Sequence, residues 1–515
     1  MSIDVLFGLS PLLSVALGAL LLMLAEAFGK PQNDEGYSPD GVIIDAGAGR
    51  AGELGMIAAV ILFAGAAFSI GVWSAGPENL VGLDTLRPYL IIDRFTIFFC
   101  FTLCLGGALA ALLAGGYLTE HKIDRGEFFP LVLFATVGAM ALAASGELLT
   151  LFVALETMSL GVYAMVGLRK SARASEAALK YFLLGSFAAA LMLFGAALLY
   201  GATGHTDLVG IGEAIKTSGR AGSTVSAAPI LVALVLTLAG LAFKVSAVPF
   251  HMWTPDAYEG APTPATSFMA VAVKAAAFAV LIRVLLVAFG DERLMSWASG
   301  WPPALALMAV LSMTVANVIA GRQSSVKRML AYSSIAHAGY ALVGVVATMR
   351  SDMGEASVLF YLLTYTVSTA GAFGALILCG SRGKEAVSYD DLAGLARRHP
   401  AAALAFSLFL LSLAGLPPTA GFFGKLYIFQ AAMDSELYAL AVIGLLNSLL
   451  GAYYYLRVMV FMYMREPAPG APIAEPMRSG YVTSALVLAA VLVLALGVLP
   501  GAWLEMVGAA SVLRS

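Results

Sequence analysis

The chain has 515 residues, 60% hydrophobic and only 12% charged, with a mean hydropathy of +0.89. Soluble domains carry about 25% charged residues, so this composition excludes a soluble globular protein and points to a polytopic membrane protein. A net charge of -3 without any basic run gives nucleic acid nothing to bind. Cys100, Cys104 and Cys379 all fall in apolar runs and offer neither a disulfide framework nor metal-ligand spacing.

A spanning helix needs about 20 mainly apolar residues. In chain order the predicted spans are Val5–Phe28, Leu54–Ser74, Ile92–Ala114, Phe128–Ala144, Leu148–Leu168, Ser175–Tyr200 and Ala228–Val248. Thr263–Phe289, Pro303–Ala320, Met329–Ala347, Ala356–Cys379, Ala401–Gln430, Leu437–Tyr463 and Tyr481–Leu499 follow, fourteen in all. The fourth is short and the twelfth is long and interrupted. Asp4 stands where a signal peptide would be basic, so the first span reads as a retained helix.

Loop charge tests this count, because cytoplasmic loops carry excess Lys and Arg. The odd-numbered loops hold sixteen such residues, among them Lys30, Arg169, Lys170, Arg173, Lys327, Arg328, Arg382, Arg397 and Arg398. The even-numbered loops hold five: Arg87, Lys216, Arg220, Arg293 and Arg350. A missed span would have scrambled the alternation, so both termini are expected on the non-cytoplasmic side. Of the remaining cations, Arg514 is terminal. Arg94, Arg283 and Arg457 sit toward helix ends, where snorkelling accounts for them.

Lys244, Lys274 and Lys425 need another reason. Lys244 precedes a segment broken by Pro249, Pro255, Pro262 and Pro264, and Lys274 lies about three turns into the next span. A lysine deep in hydrocarbon costs about 2.5–3.5 kcal/mol. Irregular backbone at that depth survives only where protein or a water-filled cavity surrounds it. The two features together suggest an ion or proton pathway; snorkelling is the alternative, and it fits Lys244 better than Lys274. Span twelve repeats the design of span seven, breaking at Gly415-Leu416-Pro417-Pro418 with Lys425 beyond the break. Two broken helices five spans apart suggest two inverted five-helix repeats, a frequent transporter plan.

Glu156 lies nine residues past the helix edge at Glu147, about 14 Å deep, near the middle of the hydrocarbon. Two readings stand: a carboxylate kept charged by Lys244, or a protonated hydrogen-bonding group. His337, central in span ten, is either a packing residue or a proton relay. Lys180, little more than one turn into span six, is ambiguous.

Lys244 and Lys274 flank VPFHMWTPDAYEGAPTPATSF, His337 sits in SSVKRMLAYSSIAHAGY and Lys425 in GLPPTAGFFGKLYIF. By these motifs, from about Glu147 to Lys425, the chain resembles the antiporter-like proton-translocating membrane subunits of respiratory complex I. Within that family it most resembles the N-type branch, through DAYEGAPT and through lysine rather than glutamate at position 425. The resemblance implies an all-α fold of about fourteen spans with broken helices seven and twelve. It implies the divisions 1–127, 128–289 (first repeat), 302–464 (second repeat) and 481–515. It further implies a proton pathway through Glu156, Lys244, Lys274 and Lys425, with Lys180 also similar to a family lysine. The role of His337 is inferred from its position alone.

No cofactor motif is present, so NADH, FMN, iron–sulfur clusters and quinone are expected in partner subunits. Those partners are other membrane-arm subunits, including antiporter-like paralogues, in a bacterial inner membrane with both termini periplasmic. A subunit of an Mrp-type cation/proton antiporter or a membrane-bound hydrogenase is the alternative within the class. A structural scaffold and a lone solute transporter are the alternatives outside it.

Overall fold

In hydrocarbon every backbone polar group must be satisfied within its own segment, so the apolar runs become helices. The computed structural model describes residues 2–28, 48–123, 125–169, 171–218, 226–380, 383–467 and 474–512. The loop charges Lys30, Lys170, Arg220 and Arg382 and the terminal Arg514 lie outside the described residues. Twelve helices are long and apolar enough to cross a membrane, and the shorter Phe128–Ala144 and Pro400–Ala414 bring the crossings to fourteen. No strand occurs among the described residues, only isolated bridges between loops.

Spans six and ten start one turn before where hydropathy alone puts them, because polar caps extend them beyond the apolar run, while span five starts at its predicted residue. Ser171 caps span six (Ala172–Thr203) by accepting from the Ala174 N–H at 3.2 Å. Ser325 caps span ten (Val326–Ala347) through the Arg328 N–H at 3.2 Å, and Glu147 caps span five (Leu148–Val166) through Thr150 at 2.9 Å. Each cap satisfies one of the four orphan N–H groups at a helix start.

Contacts between loops respect the alternation of sides. Leu90 bridges Ser145 and Glu147 bridges Asp207, all in even-numbered loops; Ser325 bridges Ser388 between odd-numbered loops. Ion pairs follow the same rule: Arg350–Glu436 (2.8 Å) joins even loops, and Arg397–Glu466 (2.9 Å) joins odd ones. Loops of one parity therefore share one side, as fourteen crossings require.

Burial sorts the spans into centre and periphery. Spans three (Arg94–Glu120), eight (Thr263–Ala288), ten and eleven (Met353–Leu378) are each 94% buried over their apolar window. Spans one (Ser10–Ala27), six and thirteen (Tyr438–Met464) are only 28%, 33% and 39% buried, so their outer faces are left for lipid or other chains. Two of these central helices carry Lys274 (span eight) and His337 (span ten).

One side-chain expectation is overturned. Arg283 does not snorkel; it is 1% exposed and clamped to Asp93, the cap of span three, with both N···O distances 2.9 Å. Near the helix end it met a buried carboxylate before it could reach the surface. Arg94 does lie at a helix end, paired with Glu78 at 2.6 Å, whereas Arg457, about two turns inside span thirteen, reaches the end of span nine by donating to the Gly321 and Gln323 carbonyls.

Candidate proton pathway

Span seven ends its first half at Val245, where Ser246 turns into the left-handed region at φ 64°. The chain resumes as a helix over Trp253–Gly260. The Ser246 and Ala247 N–H groups close onto the Phe243 and Ala242 carbonyls at 3.1 and 2.8 Å, and the Trp253 Nε1–H adds a bond to Phe243 O at 3.0 Å. The broken end is thus satisfied by its own backbone and one indole.

That leaves Lys244, in the last turn and only 3% exposed, free to reach span five. Its Nζ donates to Ser159 Oγ at 2.8 Å and to Tyr163 Oη at 3.4 Å, and lies 5.4 and 5.7 Å from the rings of Tyr163 and Tyr181. Snorkelling is excluded for it. Glu156 stands one turn before Ser159 on the same helix, yet no salt bridge within 4.0 Å joins it to Lys244. Its Oε1 is buried with no hydrogen-bond partner. The pair expected from the sequence shares a neighbourhood without closing.

Span eight is not a uniform helix. A π turn over Met269–Val273 leads directly into the regular piece Lys274–Arg283, and a second π turn, Val284–Ala288, follows it. π turns inside α-helices frequently mark functional sites. Lys274 is 2% exposed, and its Nζ donates to the main-chain oxygen and hydroxyl of Ser334 in span ten.

In span ten both ring nitrogens of His337 meet tyrosine hydroxyls, Nδ1 with Tyr361 at 2.6 Å and Nε2 with Tyr455 at 3.1 Å. Tyr455 also bonds the Ser333 hydroxyl. Rings fill the intervals on either side. Tyr365 lies 5.7 Å from the Lys274 ammonium and 5.1 Å from the His337 ring. Tyr340 lies 5.8 Å from His337 and 5.0 Å from the Lys425 ammonium.

Span twelve breaks after Ala414 at Gly415, φ 85°, and resumes over Ala420–Asp434. Lys425 is 5% exposed and folds back across the break; its Nζ donates to Ala414 O and to Ser448 Oγ, both at 3.0 Å. Lys274, His337 and Lys425 thus form one continuous buried run. Among the described residues no hydrogen bond joins Lys244 directly to Lys274. The hydroxyls of Ser246, Thr254, Tyr258 and Ser267, on the chain between them, are buried without protein partners.

Lys180 stands apart. Its side chain is 47% exposed and pairs with Glu176 at 2.6 Å and Asp256 at 3.1 Å in a surface cavity that Arg328 also lines. Among the described residues no cluster of three or more His, Cys, Asp or Glu could hold a metal ion.

Among the ionic groups missed from the sequence, two are held by several partners. One is Arg283–Asp93. The other is Glu385, in the loop before span twelve, which accepts from Tyr117 Oη and Thr263 Oγ1 at 2.6 Å and has Lys327 and Arg169 at 3.5 Å. Burial alone would raise this carboxyl. Lys327, the two hydroxyls and Arg169 outweigh burial and hold it at about 2. Lys327 had read as a loop charge but is 1% exposed, with its Nζ 2.7 Å from Ala261 O. In sequence both look like solvated loop residues; only the fold turns them inward.

Comparison with known proteins agrees with this geometry. Residues 145–451 match the family NADH:quinone oxidoreductase/Mrp antiporter, TM. NADH-quinone oxidoreductase subunit N 1 of Sorangium cellulosum is 68% identical over 499 residues, covering 96% of both chains. A chain of respiratory complex I from Thermus thermophilus superposes with TM-score 0.76 at 36% identity, covering 97% of this chain and 99% of that one. A chain of the Mrp complex from Dietzia sp. DQ12-45-1b reaches TM-score 0.80 over 99% of this chain and 97% of that one, but at 22% identity it shows the fold alone. The chain therefore belongs to the NADH:quinone oxidoreductase/Mrp antiporter membrane family and, within it, to the subunit N group of NADH-quinone oxidoreductase.

Proposed function

We propose that this subunit moves protons through Glu156, Lys244, Lys274, His337 and Lys425, driven by quinone reduction elsewhere in the complex. One observation carries the reading: three buried lysines, none with a carboxylate within 4.0 Å among the described residues. A structural scaffold has no need of them, since burying a charge without a counter-ion costs several kcal/mol. A proton carrier does need them, because each amine can hold or release a proton as its surroundings change.

The separated Glu156 and Lys244 suit the first step. If redox-linked motion brings the carboxylate to Lys244, the cation is stabilised; if it draws them apart, the proton is free to pass toward Lys274. Water bonded to the unpaired hydroxyls of Ser246, Tyr258 and Ser267 would bridge the interval. From Lys274 the route continues past Tyr365, His337 and Tyr340 to Lys425. Moving one charge against 100 mV requires about 2.3 kcal/mol, within reach of breaking a buried ion pair at about 3–5 kcal/mol. Lys180, at the surface cavity, is placed to exchange protons with water rather than within the run.

Residues 128–289 and 302–464 are read as the two inverted repeats, after three leading helices in 1–127 and before the last span in 481–515. The partners are the other membrane-arm subunits, antiporter-like paralogues included, in a bacterial inner membrane. NADH, FMN, iron–sulfur clusters and quinone belong to those partners, so the chain purified alone should neither oxidise NADH nor reduce quinone. The charge bias supports an orientation with the odd-numbered loops in the cytoplasm and both termini in the periplasm. A cysteine at Arg173 should then resist an impermeant thiol reagent on intact cells and react after lysis; labelling without lysis would reverse the orientation.

Lys244→Ala is the direct test of the pathway, with protons moved per electron measured in vesicles and assembly checked on a native gel. A fall on the order of tenfold in the proton ratio of the assembled complex is expected. Undiminished pumping would remove Lys244 from the pathway.

A further inference from the structure

Lys274 begins the ten-residue piece Lys274–Arg283 and Arg283 ends it. At about 100° per residue, nine steps put the two side chains on opposite faces of the helix. Lys274 points to Ser334 in span ten, and Arg283 points to spans three and four. A π turn adjoins each end of the piece, Met269–Val273 before it and Val284–Ala288 after it. A π turn carries one residue more than an α turn. Gaining or losing that residue rotates everything beyond it by about 100° and shifts it by about 1.5 Å. The piece is therefore a short rod set between two π joints, with a basic side chain at each end.

What fixes its angle is the Arg283 guanidinium. Nη1 and Nη2 donate to the two Asp93 oxygens at 2.9 Å, Nη2 also to Thr96 Oγ1 at 2.9 Å, and Nε to Ala143 O at 3.2 Å. The Phe95 ring lies 4.8 Å from its central carbon. The start of span eight is held separately, by the Thr263–Glu385 bond. A forked, planar group bonded on three edges resists rotation far more than a single-point contact does. We infer that Arg283 and Asp93 are positioning residues for proton transfer, setting the rotation of the Lys274–Arg283 piece and so holding Lys274 against Ser334.

This rests on the reading that Lys274 carries protons, and the two can fail separately. The complex would be prepared with Asp93→Asn, Arg283→Lys or Lys274→Ala, each checked for assembly. Two quantities would be read: protons per electron in vesicles, and the position of the residue 274 side chain by cryo-electron microscopy. Arg283→Lys is the mild variant, keeping the charge and losing the fork. It should assemble, part Lys274 from Ser334 and lower the proton ratio on the order of threefold, with Asp93→Asn lowering it further. A purely structural role would reduce the amount of complex without changing the ratio of the assembled fraction. An assembled Arg283→Lys complex with Lys274 still on Ser334 and a wild-type ratio overturns the inference. An unchanged ratio in Lys274→Ala would instead overturn the proton-carrying reading, while Lys274 displaced in Arg283→Lys would still uphold the clamp.

Discussion

Lys244 belongs to the half-helix that ends at its break, whereas Lys425 stands beyond its break and reaches back to it. At span seven the exposed Phe243 carbonyl is taken by the Trp253 indole and the Ser246 N–H. At span twelve the Ala414 carbonyl is taken by the lysine itself. The first lysine is thereby free to bond side chains of span five, near Glu156; the second is tied to backbone, with only hydroxyl and carbonyl oxygens bonded to it. The same interruption thus yields two arrangements, one lysine bonded to side chains beside a separate carboxylate and one bonded to a helix end.

The sharpest way to break this contrast is to separate the two jobs of Lys425. Lys425→Gln keeps an N–H donor for Ala414 O but has no proton to exchange. It should assemble as wild type while proton translocation per electron falls on the order of tenfold, as in Lys425→Ala. If Gln pumps normally, Lys425 serves only as a cap. At the first break the corresponding substitution is Glu156→Gln, which preserves shape and removes charge. A loss of about fivefold in the proton ratio is expected, and normal pumping would mean that Lys244 needs no carboxylate. Lys244→Arg should also pump less than its retained charge suggests, because guanidinium holds its proton at any working pH.

Backbone substitutions give a smaller contrast. A Cβ on Gly415 would meet Lys425 Cδ at 2.9 Å, in a left-handed conformation that disfavours any side chain. Gly415→Ala should therefore destabilise the complex by about 1–2 kcal/mol. Ser246→Gly, where the left-handed residue already carries a side chain, should stay within about 1 kcal/mol. Dissociation temperature measures both; equal effects would mean that the breaks are equally tolerant.

The smallest effect expected is a control outside both breaks. The Glu385 carboxyl, held at about 2 against an ordinary 4.5, contributes stability that is full above 4.5 and fades as pH falls toward 2. Between pH 8 and pH 6, assembly of wild type and Glu385→Gln should differ by a constant amount. A difference that changes across that range would show that this carboxyl titrates there.

The three mid-membrane lysines were legible because hydrocarbon makes a cation conspicuous, and the two breaks because proline and glycine interrupt an otherwise apolar run. Arg283 was not, since a cation near a predicted helix end has a sufficient explanation in reaching the surface. Its partner Asp93 stands at the edge of the predicted third span, where a carboxylate draws no notice. The π turns of span eight left no trace, because MAVAV and VLLVA have the composition of any buried α turn. The neighbourhood of Glu156 and Lys244 followed from depth along the helix, but their separation depends on side-chain packing that no spacing rule encodes. Lys180 was ambiguous at one turn from the edge, and the fold resolves it toward the surface.

The Asp93–Arg283 clamp also has a consequence for how the chain is made. Its partners are 190 residues apart. At a synthesis rate of about 5–20 residues per second, the carboxylate is in place roughly 10–40 s before its guanidinium exists. Span three, destined for the centre, then waits at the translocation machinery or among the first helices with the Asp93 charge unanswered at its start. Closure of the clamp is then a late checkpoint in biogenesis, and a chain truncated before span eight should be an early target for membrane proteases.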